Sequence, residues 1–410
     1  MSKNTYTPDQ KILEKYAKVL VNFALNSGKG IKKGETVYLV GHESSKPLFM
    51  ACAEAVTKSG GNLILGYLPD NSNRFGDGQA FYKYAKDGQL DFFPKNYMKG
   101  LVDDMDHMIF LLAEEDKQYL KNIDPKKIMR RGKSMSPWME WRTDKENKGK
   151  FTWTIALYGT PAMAAEAGLT EEEYWQEIIQ ACYLDQTDPI KEWKKATVMI
   201  EKYRKAMSKI SKDTEKFHMY GEDCDIWFNV GDGRKWLGGS GRNIPSFEVF
   251  TSPDWRNTNG WIRFNQPLYR YGNIVKGIYL EFKDGKVVKA KAEQGEKVLK
   301  AMIATENADK VGEWSLTDRR LSRITKFMAE TLYDENVGGP YGNTHIALGN
   351  SYVDSFDGPI HKMTKKQFEK LGYNYSSVHT DIMSTTNRTV VAHLKNGKQK
   401  VIYKDGEFQF

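Results

Sequence analysis

Two stretches near the C-terminal end, Thr344 to Tyr352 and Val378 to Asp381, carry side chains of the kind that hold divalent metals: His345 in the first, His379 and Asp381 in the second. One residue separates His379 from Asp381. In a strand, alternate side chains leave the same face, so this imidazole and this carboxylate can converge on one point. The same spacing also describes an ordinary solvated strand face, and it does not decide between the two by itself. Three carboxylates stand upstream in comparable settings: Glu248 in the segment 243–251, Glu313 in 311–316 and Glu335 in 332–336. Taken singly, each reads equally well as a carboxylate turned outward from an edge strand or closing a helix. A metal centre is nevertheless the first chemistry to test.

The elements that must position these residues fall into two halves. Thr7 as N-cap, Pro8 at the first helical position and Gln10 completing a capping box predict a helix that Gly28 ends. The apolar run 36–40 predicts a buried strand, residues 46–58 a helix stopped by Gly60-Gly61, and residues 62–68 a second strand, together one parallel βαβ crossover. Residues 108–113 and 152–157 extend the sheet. The region 171–213 is helical and is interrupted at Asp188-Pro189. Beyond it, turn signals at Gly231-Asp232-Gly233-Arg234, Asp284-Gly285 and Asn396-Gly397 predict antiparallel hairpins. The expected architecture is an α/β N-terminal domain with a mostly parallel sheet, residues 1–188. An α+β domain rich in antiparallel strands, residues 189–410, then carries the candidate metal site.

Composition narrows the function classes. The 410 residues are 40% hydrophobic and 28% charged, which describes a folded globular chain. The formal charge of +8, from 61 basic and 53 acidic residues, is a small excess spread over a long chain. Its densest basic run, Lys126 to Lys133 beside Trp138 and Trp141, has no nucleic-acid motif with it and reads as a solvated loop or helix end. No Gly-x-Gly-x-x-Gly follows the first strand and no phosphate-loop Gly-Lys-Ser/Thr occurs, so a nucleotide role finds no support. Three scattered cysteines, Cys52, Cys182 and Cys224, point to a reducing compartment. The polar N-terminus and the lack of a membrane-length apolar run point to the cytoplasm and away from a membrane. His42, His107, His218, His361 and His393 have no partner at ligand spacing and read as ordinary histidines.

In order and wording, the segments around Glu248, Glu313, Glu335, His345 and His379-x-Asp381 resemble the thermophilic-type metalloaminopeptidases, the family that contains aminopeptidases T and S. The resemblance covers most of the chain, and its specific part runs from Phe247 to Asp381. It implies that Glu248, Glu313, Glu335, His345, His379 and Asp381 form the shell of two divalent ions, zinc, cobalt or manganese, with Glu313 as the bridging carboxylate. A shell of four carboxylates and two imidazoles suits those metals better than thiolate-seeking ones. The implied reaction is hydrolysis of the N-terminal peptide bond of peptides by a metal-activated water. Tyr352 polarises the carbonyl or stabilises the oxyanion in that scheme, and the free α-amine of the substrate accounts for exopeptidase selectivity. The resemblance also implies a homodimer, with peptides bearing a free N-terminus as partners and no nucleic acid. A catalytically silent peptide- or metal-binding protein of the same fold is the competing expectation, since fold alone does not guarantee turnover. One departure stands out: the Gly- and Pro-rich segment from Val337 to Asn343 separates Asp334-Glu335-Asn336 from His345, and it is expected to loop out.

Overall fold

The computed structural model describes residues 6–73, 75–270 and 273–410; residues 1–5 of the polar N-terminus lie outside the described residues. Its Cα packing resolves into two compact units. One runs to Lys194 and takes in Ser240–Pro245 and Asn273; the other comprises Lys195–Gly239, Ser246–Arg270 and Ile274–Phe410. No helix among the described residues is long and apolar enough to cross a membrane.

The first unit is built on a five-stranded parallel sheet. Its spatial order is Asn62–Leu68, Thr36–His42, His107–Leu112, Thr152–Leu157 and the short Asn243–Ile244. Strands Thr36–His42 and His107–Leu112 are buried almost throughout, as near-continuous apolar strands in the middle of a parallel sheet must be. Helix Lys46–Lys58 makes the expected crossover between the first two strands. The N-terminal helix begins later than its sequence predicts. Asp9, not Thr7, is the N-cap, its carboxylate accepting from the Lys11 N–H, and the helix proper spans Gln10–Val19. A π-helical turn over Leu20–Ala24 follows, and helical dihedrals are lost at Asn26 and Ser27, before Gly28.

The basic run lies on helix Pro125–Ser134, and several of its cations have local work. Arg131 is buried against Asp77 at 2.7 Å, Arg130 pairs with Asp87 at 2.8 Å, and the Lys127 ammonium donates to the carbonyls of Tyr82 and Ala85. Trp138 is buried and Trp141 packs at the edge of the same core cluster. Charge and aromatics here hold one part of the fold together.

Among the described residues, the two larger sheets of the second unit are both antiparallel. The larger has eight strands, in the order Lys286–Lys291, Ile278–Lys283, Asp254–Phe264, Cys224–Asn229, Thr214–Gly221, Arg388–Leu394, Gln399–Lys404 and Glu407–Phe408. Two of its hairpins turn where the sequence indicates, at Asp284-Gly285 with φ of 51° and 79°, and at Asn396-Gly397. The expected hairpin at Gly231–Arg234 does not form. Strand Cys224–Asn229 pairs with Thr214–Gly221 and Asp254–Phe264 instead, while Arg234 is drawn inward. Its guanidinium donates to the Ser252 and Leu371 carbonyls at 2.8 Å and lies 3.5 Å from the Tyr373 ring centroid. Those partners are remote in sequence and override the local turn signal.

The smaller sheet has four strands, ordered His379–Ser384, Asn343–Gly349, Val311–Thr317 and Glu248–Thr251. Every residue of the two central strands is buried. Alternation gives the sheet two unlike faces. Trp314, Leu316, Ile346, Leu348 and Ile382 point one way, and the Trp314 ring stacks on Phe228 with centroids 4.4 Å apart and packs edge-on against Phe217 and Trp236. This apolar contact with the large sheet fixes the orientation of the opposite face, which is polar.

Candidate metal centre

Period-two alternation and antiparallel register put five of the six expected ligands on that polar face. Across the sheet, Glu313 lies level with Ala347 and Asp381, Ser315 with His345, Thr317 with Glu248, and Gly349 with His379. Residues paired in this way project to the same side. Glu335 arrives from outside the sheet, directly after the short helix Thr331–Asp334. Two glycines let neighbouring backbone crowd the mouth of the site. A Cβ on Gly312 would meet the Asn350 carbonyl oxygen at 2.2 Å, and one on Gly349, at φ 103°, would meet that of Val378 at 2.1 Å.

The side chains converge closely. His345 Nε2 lies 3.1 Å from Glu313 Oε1, 3.5 Å from Glu248 Oε2 and 3.8 Å from Asp381 Oδ1. His379 Nε2 lies 3.4 Å from both Glu313 Oε2 and Asp381 Oδ1. The two oxygens of Glu313 therefore face two different imidazoles. Three overlapping triads with ligand-type spacing, Glu248/Glu313/His345, Glu313/His379/Asp381 and Glu335/His345/Asp381, take in all six residues. Glu248, Glu313, Glu335 and His345 are buried, whereas His379 and Asp381 keep 22% and 17% of their side chains accessible and form the open rim. Tyr352 stands at this rim, its ring centroid 4.7 Å from that of His379 and its backbone N–H donating to Ser252 Oγ at 2.8 Å.

The electrostatics of the cluster show negative charge crowded into a buried site. Burial pushes the Glu248 carboxyl up to about 7, and the charges of Glu313 and Asp381 add to the rise while His345 opposes it. Burial and the surrounding carboxylates likewise hold Glu335 well above the usual carboxylate range. Burial alone would depress His345, but its hydrogen bond to Glu313 and the charges of Glu313, Asp381 and Glu248 carry it up to about 9. For His379 the penalty of burial is outweighed by Asp381 and Glu313. Asp381 is held below its ordinary value by His379 and His345, against the effect of burial. Carboxylates clinging to protons and imidazoles clinging to positive charge are the signs of excess negative charge at one point, which a divalent ion would neutralise.

The donor set passes the corresponding chemical test. His379 Nδ1 is 2.8 Å from the Asn350 carbonyl oxygen. A carbonyl only accepts, so Nδ1 carries a proton and Nε2 is the ring atom offered to a ligand, the arrangement of metal-binding histidines. His345 Nδ1 is buried with no hydrogen-bond partner among the described residues, so the carboxylate cluster at Nε2 is the polar attachment seen for that ring. The three cysteines are buried and take no part in these triads.

Sequence reading missed the groups behind the ligands. Ser246 Oγ and Ser315 Oγ each donate to Glu248 at 3.3 Å, and Asn336 accepts the Phe247 N–H at 2.6 Å. Ser315 had a legible signal, since it lies two residues from Glu313 on the same strand face. The other histidines have ordinary partners where partners are seen: His42 with the Ser72 carbonyl, His107 with Glu35 and Thr152, and His218 with Asp225.

Comparison with known proteins agrees with this geometry. The profile of the family described as thermophilic metalloprotease (M29) matches residues 9–408. Aminopeptidase 2 of Geobacillus stearothermophilus is 26% identical over 423 residues, covering 98% of each chain. Aminopeptidase T of Thermus aquaticus is 27% identical over 384 residues, 89% of this chain and 91% of its own. Among solved structures, wild-type AmpT from Thermus thermophilus aligns with a TM-score of 0.81 at 24% identity, covering 98% of this chain and 100% of that one, and so shares its fold. A polar sheet face that gathers candidate metal ligands and a profile match running nearly end to end lead to one assignment: the chain belongs to the thermophilic metalloprotease (M29) family.

Proposed function

We propose that the protein is a dinuclear metal-dependent aminopeptidase, whose shell is Glu248, Glu313, Glu335, His345, His379 and Asp381. The observation that carries the reading is the placing of Glu313, with one oxygen toward His345 and the other toward His379. A carboxylate so placed suits two cations held side by side, and the overlapping triads supply the remaining donors on either side of it. When bound, the ions polarise the scissile carbonyl and lower the pKa of water from 15.7 towards ~7. The protein's own residues do the rest. Ser246 and Ser315 orient Glu248, and the Asn350 carbonyl orients His379. Tyr352, at the open rim, would give a hydrogen bond from its phenolic hydroxyl to the carbonyl oxygen as that oxygen gains charge. The substrate's free α-amine would bind a metal or a carboxylate oxygen of the shell not taken up by metal, which would select the N-terminal bond. The preferred metal is zinc, cobalt or manganese. The catalytic domain spanning 189–410, the homodimer and the cytoplasmic location expected from the sequence belong to this reading.

The test is hydrolysis of amino-acid arylamides and their N-acetylated counterparts by protein stripped with a chelator and resupplied with zinc, cobalt or manganese. Hydrolysis of the free-amine substrates alone, lost on stripping and restored by metal, is the expected result. Hydrolysis that survives complete stripping would falsify the mechanism, and inactivity under every metal despite metal uptake would favour a binding protein.

A further inference from the structure

We propose that Asn336 is a positioning residue that ties the Glu248 and Glu335 arms of the metal shell together with one carboxamide; the inference rests on the metal-centre reading above. Asn336 is fully buried. Its Oδ1 accepts from the backbone N–H of Phe247 at 2.6 Å, the residue immediately before Glu248. Its Nδ2 donates to the Leu332 carbonyl at 3.1 Å and lies 3.5 Å from Glu335 Oε1, at the outer limit of a hydrogen bond, in a buried site where low dielectric strengthens polar contacts. Its own backbone is fastened as well, the N–H to the Tyr333 carbonyl at 2.9 Å and the carbonyl by the Ser322 hydroxyl.

The chemistry calls for this side chain. Glu248 is delivered by the sheet and Glu335 by a turn far along the chain; the Thr317 hydroxyl, level with Glu248, donates to the Glu335 backbone carbonyl at 3.3 Å, but of these two ties only Asn336 reaches both the backbone ahead of Glu248 and the Glu335 carboxylate. A carboxamide presents an acceptor to one segment and a donor to the other in a single rigid plane. An aspartate there keeps the acceptor for Phe247 but sets an oxygen where the amide faced Glu335 and the Leu332 carbonyl. An alanine removes both attachments. Loss of a side chain that orients a metal ligand typically weakens metal binding by about 10–100-fold.

The experiment compares wild type, Asn336→Asp and Asn336→Ala as full chains. Affinity for cobalt and for zinc is measured by competition with a chromophoric chelator, and thermal stability is measured on the metal-free proteins. The expected result is metal affinity at least about tenfold weaker in Asn336→Asp, accompanied by a changed visible spectrum of the cobalt form. Asn336→Ala should be weaker by at least as much. Should Asn336→Ala fail to fold, Asn336→Asp, which preserves the anchor to Phe247, decides the matter alone. Unchanged or tighter binding in Asn336→Asp overturns the inference, including the case where only metal-free stability falls, because that is the signature of a purely structural asparagine. A wild type that takes up no metal overturns the metal-centre reading itself, so the two failures are distinguishable.

Discussion

Glu313 is the residue on which the proposed chemistry turns. It is buried, it sits level with Asp381 across the sheet, and its two oxygens are divided between His345 and His379. Glu313→Gln keeps its size but removes its charge, so bound metal should fall below two ions per chain by elemental analysis. His379→Ala and Asp381→Ala, which open the rim, should each lower bound metal too; unchanged content in both would mean that the shell is wrongly drawn. Tyr352 is different in kind. If its hydroxyl steadies the oxyanion, Tyr352→Phe should reduce kcat by about 10²–10³-fold with metal content intact. A drop in metal content together with kcat would make Tyr352 a ligand, and no change would make it a packing residue beside His379. Single positions were only partly legible in the sequence. His-x-Asp gave a face but no partner, and each glutamate was ambiguous until the register set Glu248, Glu313 and Asp381 on one surface.

At the scale of elements, the four-stranded sheet does the positioning, and its sequence shows why. Trp314, Leu316, Ile346 and Leu348 alternate with Glu313, Ser315, His345 and Ala347, so burying the first set dictates where the second points. That alternation was legible. The segment from Val337 to Asn343 was legible in part: it loops out as expected, with Pro340 and Tyr341 exposed at its tip, but the buried partners that hold its base were not legible. Its ends are drawn together because Asn343 Nδ2 donates to the Asp334 carbonyl at 2.6 Å, and Tyr403 donates to the carbonyls of Thr317 and Tyr341. Such partners, sixty or more residues away in the case of Tyr403, leave no trace in local composition, just as Arg234 overrode the turn signal at Gly231. Asn343→Ala leaves the buried Asp334 carbonyl without that donor and should cost about 1–3 kcal/mol in chemical denaturation. A change of less than a few tenths would show that the insertion closes without it.

For the whole molecule, the charge cluster makes stability depend on pH in a direction that metal should reverse. Glu248 rises from 4.5 to about 7 and His345 from 6.5 to about 9, with Glu335 and His379 shifted the same way. Each of these groups binds its proton more tightly folded than unfolded. Their contribution is therefore fully present below the unfolded pKa values and is lost as pH rises through the folded ones. Asp381 acts oppositely, but only in strongly acidic solution. Metal-free protein should accordingly lose thermal stability between about pH 5 and 9. Metal-loaded protein should gain stability over the same range, because metal competes with those protons and binds the folded state. Parallel pH profiles for the two forms would argue against a cation at this cluster.

In the proposed function two cations share this site and turnover requires them. The most direct test is a titration of stripped protein with cobalt, following bound metal per chain and arylamide hydrolysis in the same samples. Uptake should saturate at two ions per chain, with hydrolysis appearing as the site fills and absent from the metal-free protein. Saturation at one ion with full activity would contradict the dinuclear centre, and full activity before any cobalt is added would contradict metal dependence altogether.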